Sequence, residues 1–208
     1  SMSGFEKGKF VSALMSAAEE KGAKLIHDEV TGLMIENDAV VGVELGDDRK
    51  LRGHKTVLAM GPWTGNAQGW IDGVPEITGD KAHSIVFQPD DSGPAAIDNT
   101  AVFIGYSDKG KMEHPEIYPR PDGSVYVCGC GDDTPLPESA EQVAPSPARC
   151  AQLVDIAGTV TSHLKGLAPV IQQACYLPNS STGTPVLGQV RPGLFVASGH
   201  SCWGILNA

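Results

Sequence analysis

The sequence predicts an α/β chain, an α+β fragment in which a partly parallel sheet is interrupted by a mainly antiparallel β domain. Three observations predict it. A helix and a small meander open the chain. Two short, unbroken apolar runs that end at glycine, "TVLAM" before Gly61 and "GLFVAS" before Gly199, lie far apart. The stretch between them is a series of turn-bounded, strand-like runs. Unbroken apolar runs are typical of strands buried on both faces in a parallel sheet. The expected division is residues 1–74, then 75–178 as the antiparallel β domain with one helix, then 179–208 as the return to the first domain.

Each element has a local reason. Phe10, Ala13, Leu14, Ala17 and Ala18 share one helical face, and Gly22 suits the stop. "AKLIHDEV" reads as a short strand. "TGLMIEND" and "AVVGVELG" read as two strands joined at Asn37-Asp38, with "RKLRGHK" completing a meander. In open α/β sheets ligands lie beyond the carboxyl ends of the strands, so Gly61 marks a place where a ligand can meet the backbone. Beyond Pro75, "DKAHSIVFQP", "AVFIGY", "HPEIYPRPDGSVYVCG" and "IQQACYLP" read as strands, and Pro121-Asp122-Gly123 as a hairpin turn. Ser146-Pro147 opens a helix expected to reach Leu167. "PVLGQV" and "GLFVASG" return to the buried-strand type. Together this is the layout of a nucleotide-binding α/β domain with a second domain inserted.

A net charge of −10 argues against nucleic acid or an anionic membrane as partner. No apolar run reaches the roughly 18 residues of a membrane span. Five cysteines, an odd count at irregular spacing, read as reduced thiols of an intracellular, cytoplasmic protein. Cys128-x-Cys130 lacks common zinc-site spacing, so no metal is expected.

"VLAMGPWTGN" and "GTPVLGQVRPGLFVASGHSCWGILNA" resemble the FAD-dependent amino-acid and amine oxidase family, which includes glycine oxidase, D-amino-acid oxidase and sarcosine oxidase. The resemblance runs through nearly the whole chain, in order, and looks closest to a eukaryotic branch of unsettled substrate. It implies part of an FAD-binding, Rossmann-like domain plus an antiparallel substrate domain. It also implies FAD contacts at Val30, Gly61, Trp63, Gly199, His200, Cys202, Trp203, Gly204 and Ile205. Gly61 would let the phosphate arm lie against the backbone, and Val30 would meet the adenine side. Residues 204–206 would open a helix toward flavin O2, where reduction builds negative charge.

Several residues keep two readings. His200 either orients flavin or shuttles a proton, or is a turn histidine. Cys175 is either a flavin-linking thiol or a buried core thiol. Cys202 and Trp203 either wall the flavin or pack. The family's carboxylate-binding arginine is absent: its place reads Tyr176-Leu177-Pro178, and the family aspartate of the next turn is Thr182. Weaker substrate candidates are His83 and Ser84, opening the first strand of the insert, and Tyr118 and Arg120, the latter two also read as a solvated hairpin shoulder.

The family's G-x-G-x-x-G is not in this sequence. The chain therefore reads as a fragment of an FAD-dependent oxidoreductase that transfers hydride from an amine or amino-acid-like small molecule to flavin. By itself it is expected to be inactive and flavin-free, with homodimerisation through an exposed apolar surface. The alternative is a non-catalytic flavin-binding regulatory or trafficking factor.

Overall fold

The computed structural model describes residues 4–89, 100–108 and 110–204. In chain order the first elements are α1 (Gly4–Glu20), β1 (Val30–Glu36), β2 (Ala39–Leu45), β3 (Lys50–Arg52), β4 (Thr56–Leu58), a 3-10 helix (Gly61–Gly69) and β5 (Ile77–Phe87). Then come β6 (Val102–Phe103), β7 (Tyr106–Asp108), β8 (Lys111–Glu113), β9 (Glu116–Pro119) and β10 (Val125–Asp132). After a short 3-10 turn follow α2 (Pro147–Val160), β11 (Ile171–Ser180), β12 (Val186–Arg191) and β13 (Leu194–Ser198). The fold is mixed α/β, with few helices and mainly antiparallel sheets. Two compact units form, one from Ser1–Thr78 with Pro178–Ala208 and the other from Gly79–Leu177.

In the first unit α1 ends at Gly22, whose φ of 95° no β-carbon residue adopts readily. Ala23 N–H donates to Ala18 O and Gly22 N–H to Glu19 O, the paired bonds of a Schellman stop. Residues 24–29 form no strand, contrary to the sequence expectation. Leu25 and Ile26 stay exposed, and no described strand lies alongside to supply hydrogen bonds. β1, β2 and β3 form the expected meander. Asn37 and Asp38, at φ 49° and 63°, supply the two left-handed residues of a tight hairpin.

β4 pairs in parallel with β13, and β12 pairs antiparallel on the far side of β13. Leu58, Leu194 and Val196 enter a core with Val40, Ala67, Ile71 and Val74. The expectation of burial on both faces fails at β4 and β12: Val57 is 58% and Leu187 67% exposed. Only one face of this sheet meets the meander and the 3-10 helix; the described residues cover no more. Gly193 joins sheet to meander. Its φ is 74°, and a β-carbon there would fall 2.1 Å from Val40 O.

In the second unit the sheet order is β11-β5-β10-β9-β6. Strand alternation places Ile85, Phe87, Val125, Val127 and Ile117 on one face, where Cys150, Leu153, Ile156 and Ala157 of α2 pack on them. α2 starts as expected, with Ser146 accepting from Arg149 N–H and Pro147 in the first turn. It stops at Val160, short of the expected Leu167, because Thr161 turns extended at φ −140°, ψ 132°. The chain then folds back across Gly158 to bury Leu164 in the same core.

Candidate functional site

Two glycine turns lie side by side in the first unit. β4 runs into Gly61 and β13 into Gly199, and the parallel register Val196 opposite Leu58 makes the two exits neighbours. Ser198 Oγ donates to Gly61 O at 2.8 Å, and Thr64 Oγ1 donates to the same oxygen at 2.8 Å. The turn at Gly61 is thus fixed from both sides.

The glycines there serve different ends. Gly199 has φ 78°, and a β-carbon would press on Ser180 Cβ at 3.1 Å and Ile77 Cδ1 at 3.3 Å. Gly204 would press on His200 Cβ at 3.0 Å. Both are glycine because the protein itself is close. Gly61, at φ 55°, has nothing within 4 Å of where its β-carbon would be. Its open backbone suits a phosphate-bearing ligand at the carboxyl end of a parallel strand. The residues present therefore fit FAD.

His200 bridges to Asn179, Ser201 N–H donates to Pro178 O at 2.8 Å, and Trp203 N–H closes a turn onto His200 O at 3.0 Å. Cys202 is exposed and Trp203 is 59% exposed, so the packing reading of these two side chains is corrected: they face outward. Trp63 is half-buried in the 3-10 helix, and Val30 starts β1 opposite Leu45. Ile205 and the expected helix start beyond Gly204 lie outside the described residues.

In the second unit, the sheet face away from α2 carries the polar groups. Cys128 is opposite Ser84 on one side and Glu116 on the other, and Tyr126 is opposite Val86 and Tyr118. Phe103 is opposite Glu116 at the sheet edge. Tyr118 Oη donates to Glu116 Oε2 at 2.6 Å, and the Phe103 and Tyr118 rings meet edge to face at 5.8 Å. The Arg120 guanidinium lies 4.8 Å over the Tyr126 ring. Its Nε, shielded from water, makes no hydrogen bond among the described residues. Burial, then the neighbouring Glu116 carboxylate, raises the Tyr118 phenol, and burial foremost raises Tyr126 to about 12, so both remain hydrogen-bond donors at neutral pH.

Ser84, Tyr118 and Arg120 are thus brought together, and His83 is not. His83 is 1% exposed on the α2 face, its Nδ1 2.9 Å from Cys130 O and its Nε2 3.5 Å from Asp132 Oδ2. Alternation alone separates it from Ser84. Burial lowers its pKa most, while the contact to the Cys130 carbonyl opposes this. Cys175 is exposed, which overturns the buried-thiol reading. Tyr176, next to Leu177 in the place of the family arginine, is buried and donates to Pro135 O at 2.9 Å. Sequence reading missed Glu116, Tyr126 and Cys128. The signal was present: in "EIYP" and "VYVCG", either side of the predicted turn, every second residue is polar or aromatic.

The family described as DAO, FAD dependent oxidoreductase, matches residues 4–208. The chain belongs to this family. It is 33% identical over 175 residues to the "Putative oxidoreductase C1F5.03c" of Schizosaccharomyces pombe, covering 82% of this chain and 43% of that protein. It is 33% identical over 184 residues to the "Putative oxidoreductase TDA3" of Saccharomyces cerevisiae, covering 85% of this chain and 32% of that protein. The chain thus spans less than half the length of these relatives. Glycine oxidase from Geobacillus kaustophilus superimposes with a TM-score of 0.75 at 21% identity, over 94% of this chain and 49% of that one. Glycine oxidase from Bacillus cereus gives 0.73 at 21%, over 94% and 50%. At such identities these likenesses show the fold. Among the described residues no group of three His, Cys, Asp or Glu is placed to hold a metal. No described helix is long and apolar enough to cross a membrane.

Proposed function

We propose that the protein containing this chain oxidises an amine or amino-acid-like small molecule with FAD. The observation that carries this reading is the pair of glycine turns at the ends of adjacent parallel strands, locked by Ser198, with the Gly61 backbone open. Gly61, Trp63, Gly199, His200, Cys202, Trp203 and Gly204 would hold the cofactor, with Val30 toward its adenine side and Ile205 continuing the loop. When bound, FAD supplies the two-electron acceptor for the hydride that leaves the carbon beside the amine nitrogen, with dioxygen as final acceptor. The nitrogen lone pair forms the new C=N bond, so a neutral amine needs no strong base at the reacting carbon.

This chain's own residues position the substrate. Arg120 holds its guanidinium over the Tyr126 ring, and its Nε makes no hydrogen bond among the described residues; a guanidinium so placed suits a carboxylate. Tyr118 and Ser84 supply hydroxyls on the same face. The test is anaerobic mixing of the full-length protein with a panel of amines and amino acids: bleaching of the flavin colour supports oxidation, and an unchanged spectrum across the panel sinks it.

Two finer readings go with this. The chain alone, which contains no G-x-G-x-x-G, binds FAD weakly or not at all; colour that survives gel filtration overturns this. The exposed apolar residues Phe10, Val11 and Leu14 of α1 support self-association, which light scattering checks. None of the five cysteines forms a disulfide, which supports the cytoplasmic reading.

One observation favours the second reading, a non-catalytic flavin-binding regulatory or trafficking factor. Leu177, which can bind no carboxylate, stands in the family arginine's place within Tyr176-Leu177-Pro178, and the neighbouring Tyr176 hydroxyl is committed to the Thr134 and Pro135 carbonyls. Bound flavin that no amine or amino acid reduces would be its signature.

A further inference from the structure

Glu116 stands on the aromatic side of the second unit's sheet without a cationic partner. It accepts from Tyr118 Oη at 2.6 Å and lies 3.9 Å from Cys128 Sγ, and no described lysine, arginine or histidine forms an ion pair with it. Four described cations of this unit are engaged elsewhere. Lys111 and Arg149 pair with Glu113, Lys81 with Asp132, and Arg120 lies over Tyr126.

The rings of Phe103, cross-strand partner of Glu116, and of Tyr118, its hydrogen-bond donor, meet edge to face at 89° beside it. Glu116 and Phe103 also line a shallow cavity of about 300 Å³ with His114, Ile104 and Gly105. Phe103 is 69% exposed, far more than an edge-strand phenylalanine needs for packing. A carboxylate framed by aromatic rings attracts organic cations by two routes at once, direct charge and the negative faces of the rings.

We propose that Glu116, with Phe103 and Tyr118, is a recognition site for an alkylammonium group and makes this face selective for cationic, amine-bearing ligands. The site deepens the amine-oxidising reading and rests on it for its biological meaning. Arg120, at the far end of the same strand and hairpin, then reads a ligand's carboxylate. The two ends together select an extended zwitterion over a simple acid.

The experiment needs neither flavin nor turnover, so its failure is distinct from failure of the oxidase reading. n-Butylammonium is titrated into the chain while ring resonances of Phe103 and Tyr118 are followed by NMR. n-Butanol and butyrate serve as neutral and anionic controls. Saturable shifts with butylammonium, absent with both controls, are expected. Glu116→Gln, which keeps shape and acceptor, weakens binding about tenfold, since the charge that strengthens the hydrogen bond to the ammonium is lost. Glu116→Asp restores part of it. Phe103→Leu alters only an exposed side chain and weakens binding about threefold through loss of one cation–π contact. Butanol binding as tightly as butylammonium, or unchanged affinity in Phe103→Leu or in a folded Glu116→Gln, overturns the proposal.

Discussion

α1 and α2 carry similar helical spacing of apolar residues, yet they end in opposite surroundings. α2 buries Cys150, Leu153, Ile156 and Ala157 against the five-stranded sheet. α1 leaves Phe10 43%, Val11 59% and Leu14 56% exposed. Periodicity states which face of a helix wants cover; it does not state whether cover is present. Isolated helices of this length are marginal in water, so the two should differ in stability as they differ in burial.

The largest expected effect is in the core under α2. Leu153→Ala removes a side chain with no exposure and should cost about 2–5 kcal/mol, read from the denaturant midpoint. Leu14→Ala on α1 should cost no more than about 0.5 kcal/mol, as for an exposed position. Equal losses would break the comparison. Amide exchange sharpens it: α2 amides should be protected far longer than those of α1.

A smaller effect is expected from acid, and it acts behind α2. His83 faces Lys81 on its own strand, Asp132 on β10 and Arg149 on α2. Burial lowers its pKa in the folded state, so the unfolded chain binds the proton more readily. Its contribution to stability is complete above the unfolded value of about 6.5 and declines as pH falls below it. Denaturant midpoints at pH 7.5 and 5 should differ, and His83→Gln should flatten the difference. A steeper slope in the variant would contradict the assignment.

Smaller again are the single hydroxyl bonds. Ser146→Ala removes the cap of α2 and should cost about 1 kcal/mol. Ser198→Ala, in the first unit, should cost about 1 kcal/mol through its bond to Gly61 O. It should also loosen flavin binding in the full-length protein, whereas Ser146→Ala should leave flavin binding alone; fluorescence titration with FAD separates them.

Local chemistry made much of this legible in the sequence. Asn37-Asp38, Pro121-Asp122-Gly123, Ser146-Pro147 and the glycines at 22, 61 and 199 each constrain the backbone through their own residue type, and each turn or cap is found where it was read. What failed depended on partners distant in sequence. Residues 24–29 look like a strand, but no described strand pairs with them. Val57 and Leu187 look buried, but the described residues cover only one face of their sheet. The second unit's polar face was half visible. Ser84, Tyr118 and Arg120 were singled out one by one, but Glu116, Cys128 and Tyr126 join them only through cross-strand register. His83 was paired with Ser84 by adjacency, and adjacency in a strand means opposite faces.

The bond from Ser198 to Gly61 spans 137 residues of chain. During synthesis at about 5–20 residues per second, Gly61 emerges roughly 7–27 s before the serine that fixes its turn. β4 waits equally long for its parallel neighbour, with Val57 and Leu58 lacking their sheet partner meanwhile. The whole second unit, whose contacts close earlier and more locally, can mature in that interval. The nascent chain therefore completes its five-stranded sheet first and the paired turns at Gly61 and Gly199 last, and among the described strands β4 has no sheet partner in that interval.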